Sequence, residues 1–187
     1  MRCFIALGLD EAPASRLAPW LESTRERFPE LAVTPAGNLH LTLAFLGEIG
    51  EGAVEAAGVA VHAAAAERQG WTIHWSGAGA FPSATRPRVL WMGVEGGEAL
   101  VDTHRALSAV LVASGLPVED RPYRPHLTLA RVRRQGLNRE RRAEVVAHLE
   151  TLPQVKPSRV VSVVLYQSRL GGGHPAVHAP LVTARLV

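Results

Sequence analysis

Two histidines and two threonines are spaced in this chain as a matched pair of acid–base units. His40-Leu41-Thr42-Leu43-Ala44 returns unchanged as His126-Leu127-Thr128-Leu129-Ala130, 86 positions further on. Along an extended strand, side chains at i and i+2 share a face. Each copy therefore sets an imidazole beside a hydroxyl while Leu41, Leu43, Leu127 and Leu129 turn the other way, toward a core. Two imidazoles with ordinary pKa values of about 6.5 can stand one neutral and one charged near neutral pH, so a base and an acid coexist without a metal. Two hydroxyls can donate hydrogen bonds to the non-bridging oxygens of a phosphoryl group as charge builds on it. The chemistry that uses all four is cleavage of a phosphodiester: one histidine takes a proton from the attacking oxygen and the other returns one to the leaving oxygen. One copy alone would pass as strand sequence, with threonine chosen for its β-propensity. Two copies with their histidines and threonines in register ask for more.

Positive charge gathers beside the second copy. Eight arginines, from Arg121 to Arg142, fall within 22 residues, although the formal net charge is only +3 and Lys156 is the one lysine. Guanidinium forks pair two-point with phosphate oxygens, so the cluster points to a phosphate-bearing partner, nucleic acid above all. Arg139, Arg141 and Arg142 also fit the solvated face of a helix. Phe45 and Tyr123 flank the motifs and could stack on a base of single-stranded RNA, with core packing the simpler expectation for Phe45.

Bringing two such units into one site requires two similar halves, and a shift of 86 residues supplies them without a gap. Arg2–Leu9 falls on Arg88–Glu95, two apolar runs of strand length. A helix is predicted after each, over 14–28 with Leu17, Trp20, Leu21 and Phe28 on one stripe and over 100–114 with Leu100, Leu107 and Leu111 likewise. Pro29 and Gly115 mark their ends. A second helix follows each motif, over 52–68 and 138–149, and His62 lands on His148. Strands are predicted next over 71–79 and 159–167, and a closing strand over 176–186 takes the part that 89–94 plays in the first half. Outside the motifs the likeness lies mainly in element order.

With 187 residues and 47% hydrophobic content, the chain has apolar material for one compact domain of two pseudo-symmetric lobes, spanning 1–187. No apolar stretch approaches the roughly 18 to 20 residues that a membrane span needs. The start, MRCFIALGLDE, meets acidic residues too early for a signal peptide. The expectation is a soluble, cytoplasmic monomer with no membrane partner. The only cysteine, Cys3, sits in an apolar run as a buried thiol, which excludes an internal disulfide and a multi-thiolate metal site.

The remaining histidines carry less. His62 and His148 recur by duplication and are expected to be structural; His74 lies among Trp71, Ile73 and Trp75 on a strand, and His104 on a helix. His174 and His178 follow Gly171-Gly172-Gly173, a hairpin turn by this reading, and could rim the cleft. That glycine run lacks the helix and the GK[ST] sequence of a nucleotide cradle, and 47–52 is a strand-to-helix connection. No histidine cluster has the spacing and carboxylate support of a zinc site, so neither metal nor cofactor is expected.

The two motifs resemble those of the 2H phosphoesterases, and the wider sequence is similar to the bacterial and archaeal RNA 2′,3′-cyclic phosphodiesterases once called 2′-5′ RNA ligases. The supporting stretches are RCFIAL, NLHLTLAFLGE, FPSATRPRVLWMGV, RPYRPHLTLAR and LYQSRL, which together cover nearly the whole chain. The resemblance implies a bilobed α+β fold with two antiparallel sheets facing a central cleft, helices outside, and one motif strand on each side. It also implies RNA ending in a 2′,3′-cyclic phosphate as partner and water as nucleophile. His126 would be the general base, and His40 the general acid that protonates the leaving 3′-oxygen to give a 2′-phosphate. Thr42 and Thr128 would hold the phosphoryl oxygens, and Arg131 matches a phosphate contact. His178 departs from the pattern, standing where an aromatic residue, often tyrosine, is expected. Alternatives left open are 2′-5′ RNA ligation in the same site, a zinc-dependent hydrolase using His40 and His126, and an RNA-binding module without turnover.

Overall fold

The computed structural model describes residues 1–119, 121–171 and 174–187. In chain order the elements are β1 (Arg2–Leu9), α1 (Ala12–Arg27), β2 (Leu31–Val33), a 3-10 turn (Ala36–Asn38), β3 (Leu41–Glu48), α2 (Glu51–Ala65), β4 (Thr72–Phe81), β5 (Val89–Glu95), α3 (Gly97–Ala113), β6 (His126–Val132), α4 (Arg139–Leu149), β7 (Ser158–Gly171) and β8 (His174–Arg185). The four predicted helices form within a few residues of their expected limits. α4 starts where the Asn138 side chain accepts a hydrogen bond from the Arg141 backbone N–H at 2.8 Å, satisfying one of the orphan donors of a helix N-terminus. β2 and the 3-10 turn were not legible, because three residues are too few to show a period. β2 forms because the edge of β6 gives it partners: Leu31 opposite Val132, Ala32 opposite Arg131 and Val33 opposite Ala130.

All pairings are antiparallel. β3-β1-β7-β8 form one broad ladder and β2-β6-β5-β4 another. The expected pair of sheets is thus present, but the two are joined into a closed path by narrow seams: Leu41 opposite Leu127, and Thr72 and Ile73 opposite Arg159 and Ser158. Both seams pair residues with their own images 86 positions away or with the neighbours of those images. β4 follows α2 in the first half yet joins β5, and β7 follows α4 in the second half yet joins β1. Each half hands the strand after its second helix to the sheet of the other, so neither sheet is complete without both halves.

Two cores lie under the two sheets. Ile5, Leu7, Leu41, Leu43, Val163 and Leu165 meet Ala60 and Val61 of α2 and Leu100, Leu107 and Leu111 of α3. Leu90, Met92, Leu127 and Leu129 meet Leu17, Trp20 and Leu21 of α1 and Val145 and Leu149 of α4. The leucines of both motifs are therefore anchors, as expected; truncation of a fully buried leucine to alanine costs about 2–5 kcal/mol. Cys3 is buried in the first core. β7 and β8 pair up to Gly171 opposite His174. Gly172 and Gly173, read as the turn between them, lie outside the described residues, as does the side chain of His174. No helix among the described residues is long and apolar enough to cross a membrane.

Candidate active site

The Leu41–Leu127 seam decides how the two motifs meet. Extending that antiparallel pair by one residue each way sets His40 opposite Thr128 and Thr42 opposite His126, all four on the face away from the buried leucines. His40, Thr42, His126 and Thr128 are each half-buried, while Leu41, Leu43, Leu127 and Leu129 between and beyond them are buried. Identical pentapeptides thus become one constellation because they cross at their second residue.

Both imidazoles are held in the same way. His40 Nδ1 lies 2.7 Å from the carbonyl oxygen of Asn38 and His126 Nδ1 lies 2.7 Å from that of Arg124. A carbonyl can only accept, so Nδ1 carries the proton and donates. This leaves Nε2 of each ring as the atom that takes up or releases a proton in chemistry. Asn38 and Arg124 are themselves 86 positions apart. The 3-10 turn, absent from the sequence reading, exists to make the first of these contacts, and the Asn38 side chain ties it to β8 through a 2.6 Å bond to the Ala176 carbonyl.

The surroundings of the two rings differ. His40 packs against Phe4 at 4.6 Å between ring centroids and meets His178 edge-on at 5.2 Å, with Tyr166 stacked behind Phe4. His126 meets Phe81 edge-on at 5.1 Å, and Phe81 in turn packs on Trp91. Burial pushes His40 down to about 4, helped by the charges of His178, Arg131 and His126 and opposed by the Asn38 carbonyl. The free protein therefore holds His40 neutral. His178, His104 and His148 are lowered by burial as well. These groups prefer the neutral form when folded, so their contribution is complete above the ordinary histidine pKa and is lost as pH falls through it toward the folded value. The thermal midpoint is expected to drop between pH 6.5 and 4, and less steeply in His40→Asn; equal slopes for the two proteins would show that His40 is not the buried titrating group.

A cleft of about 570 Å³ opens beside His126, lined by Thr42, Ala44, Phe45, Phe81, Tyr123 and Arg131 among others. Three of the eight clustered arginines reach it, Arg121, Arg124 and Arg131, and Arg88 joins them from the start of β5. No ion pair among the described residues engages these four. Of the other five, three do structural work: Arg133 donates to the carbonyls of Pro29 and Leu31, Arg142 to that of Leu137, and Arg141 bridges Glu30 and Glu144. Arg141 is thus tied into an ion-pair network, and the cluster as a whole overstates the phosphate site. The guanidinium of Arg131 is crowded by its surroundings and by Arg2, which lowers its proton affinity without removing its charge at any ordinary pH. Arg88 was invisible as a site residue because its motif neighbours lie 38 positions further on.

Phe45 departs from the simpler expectation, and Tyr123, left open between stacking on a base and packing, packs. Phe45, expected to pack in the core, stands 44% exposed at the cleft, available to a base. Tyr123 is a strut: its ring stacks on His104 at 3.9 Å, and its hydroxyl donates to the Thr42 carbonyl at 3.0 Å. That bond clamps the backbone of the first motif. Among the other histidines, His148 is a half-buried structural residue stacked on Trp20 and against Phe28, with Nε2 2.8 Å from the Thr24 hydroxyl. Among the described residues no three His, Cys, Asp or Glu side chains come together as metal ligands do.

The family model of the 2′-5′ RNA ligase superfamily matches residues 13–172. The chain belongs to that superfamily. A relative from Methanothermobacter thermautotrophicus, named RNA 2′,3′-cyclic phosphodiesterase, is 33% identical over 175 residues, covering 94% of each chain. One of the same name from Escherichia coli is 32% identical over 133 residues, 70% of this chain and 71% of its own. Among solved structures, TT0787 of Thermus thermophilus superposes on this superfamily member with a TM-score of 0.78 at 26% identity, covering 100% of this chain and 98% of the other. Escherichia coli LigT complexed with 3′-AMP superposes at 0.73 and 26% identity, covering 99% and 97%.

Proposed function

We propose that this chain is a metal-independent RNA 2′,3′-cyclic phosphodiesterase that opens terminal cyclic phosphates to 2′-phosphates within one catalytic unit built from both halves. The observation that carries the reading is the shared anchoring of the two rings, each with Nδ1 on the carbonyl two residues before it and Nε2 left for chemistry on the face that also bears Thr42 and Thr128. The names of the relatives and the nucleotide seated in the Escherichia coli structure point to the same substrate class.

In the cleft, the two threonine hydroxyls donate to the non-bridging oxygens and Arg131 adds a cation to them. His126 Nε2 takes a proton from water as the water oxygen bonds to phosphorus. The opposite bond to the 3′-oxygen breaks, and His40 Nε2 gives that oxygen its proton. His40 is neutral in the free protein, so its proton arrives with the substrate: a phosphate anion placed against the ring favours the charged imidazole. After one turnover the proton has moved from His40 to the product and another from water to His126, and exchange with solvent resets the pair. Phe45 offers a face to the terminal base, and Arg88, Arg121 and Arg124 meet the phosphates of the RNA strand.

The test is incubation of the chelator-treated protein with an oligonucleotide ending in 2′,3′-cyclic phosphate. Conversion to the 2′-phosphate is expected; activity that returns only with zinc would overturn the two-histidine scheme, and joining of ends without hydrolysis would make the chain a ligase. Arg131→Ala is expected to lower kcat/KM by roughly tenfold or more, in line with about 1.5–3 kcal/mol for a charge-assisted hydrogen bond. An unchanged kcat/KM removes Arg131 from the phosphate.

A further inference from the structure

The catalytic groups obey a two-fold relation that the substrate could exploit in either sense. His40 matches His126, Thr42 matches Thr128, and the Asn38 carbonyl matches that of Arg124. A 2′,3′-cyclic phosphate has its own local two-fold relation about phosphorus, with two non-bridging oxygens and two ester oxygens. Turned over in the cleft, the phosphate finds equivalent histidine and threonine partners, but O2′ and O3′ have exchanged places before His40. The same chemistry would then break the other bond and leave a 3′-phosphate. The matched histidines and threonines alone do not choose the product, so the choice rests with whatever makes the two sides unequal.

Arg131 falls where the first half has Phe45, and β8 adds a larger difference. β4 and β7 occupy matching places, since Thr72 and Ile73 pair with Arg159 and Ser158 across the seam. Yet β8 covers the far edge of β7 from Ser162 to Gly171, whereas the matching edge of β4 borders a cavity of about 700 Å³, reached by His74, Ser76, Ala80, Leu149 and Gln154. Among the described residues no strand lies there. β8 brings one side chain to the reacting pair: His178, edge-on to His40 at 5.2 Å and edge-on to Phe4 at 4.9 Å. On the other side, among the described residues, His126 meets the single ring of Phe81 and the open cleft.

Resting on the phosphodiesterase reading, we infer that His178 is a specificity-determining residue: by filling the space beside His40 it confines the nucleoside to the His126 side and so fixes which ester bond opens. The part assigned to His178 is steric: its Nδ1 is buried with no hydrogen-bond partner among the described residues. That orphaned nitrogen costs stability without serving the wall, so a phenyl ring of similar size does the same work.

The test compares wild type, His178→Ala and His178→Phe on one oligonucleotide with a 2′,3′-cyclic phosphate end, with 2′- and 3′-phosphate products resolved and circular dichroism recorded for each variant. The wild type and His178→Phe are expected to give a single regioisomer. His178→Ala is expected to give both, the minor one rising from undetectable to at least a tenth of product, with total turnover within about tenfold of wild type. His178→Phe is further expected to have a thermal midpoint no lower than wild type. A single regioisomer from active His178→Ala overturns the inference, as does a mixture from His178→Phe, or a folded His178→Ala with no turnover, which would make the residue part of the chemistry. Failure of the wild type to open the cyclic phosphate overturns the phosphodiesterase reading itself and is recognised separately.

Discussion

His40→Ala and His126→Ala are each expected to lower kcat by at least about 100-fold on an RNA 2′,3′-cyclic phosphate, the usual loss when a general acid or base is removed. Both rings stand on the face away from the leucine anchors, and Leu41 and Leu127 hold the seam without them. Folding should survive either change, and circular dichroism provides the check. The double variant should be little worse than the poorer single one, because acid and base serve one transition state and their losses do not multiply. Near-wild-type turnover by either single variant would remove that histidine from the chemistry. The split between the variants is informative in itself. His40 sits at about 4 in the free protein, so the limb of kcat/KM that reports it should lie well below an ordinary imidazole and vanish in His40→Ala.

Thr42→Val and Thr128→Val are expected to show the next largest effects. Valine keeps the branched shape that suits a strand, and both positions lie on the strand face away from the leucine cores. The change is therefore close to a deletion of the hydroxyl alone. Loss of one donor aimed at charge developing in a transition state costs about 100- to 1,000-fold in kcat, with a smaller effect on KM because the ground-state phosphate is less demanding. Thr42 carries a second duty through its backbone, since its carbonyl receives the Tyr123 hydroxyl. That bond survives in Thr42→Val, so Tyr123→Phe serves as the control for clamp loss without hydroxyl loss. If Tyr123→Phe matches Thr42→Val in kcat, the clamp and not the threonine hydroxyl is what the reaction needs.

Some of the helix and strand pattern was legible because periodicity is local: the leucines at alternate positions of each motif gave the buried face, and the apolar stripes of 14–28 and 100–114 gave helices that pack as expected. Arginine identity was a poorer guide. Arg121, Arg124 and Arg131 reach the cleft, but Arg133, Arg141 and Arg142 are spent on carbonyls and carboxylates of neighbouring loops and helices, and composition cannot tell a free fork from an occupied one. The same limit overturned core packing for Phe45 and left Tyr123 open, since their surroundings come from α3, β3 and the segment before β6, far apart in sequence.

By itself, then, the sequence determined the chemistry: two imidazoles and two hydroxyls at a fixed repeat, each pair on one face of a strand because side chains alternate. Tertiary structure alone decided how they combine. The Leu41–Leu127 crossing turns two sites into one, the exchange of β4 and β7 makes each half depend on the other, and β8 sets His178 beside His40, where the His126 side has Phe81 and the open cleft. The two motifs are equal as sequence. What makes them unequal is contact between residues distant along the chain, such as His178 beside His40 and Phe4, and those contacts exist only once the chain has folded.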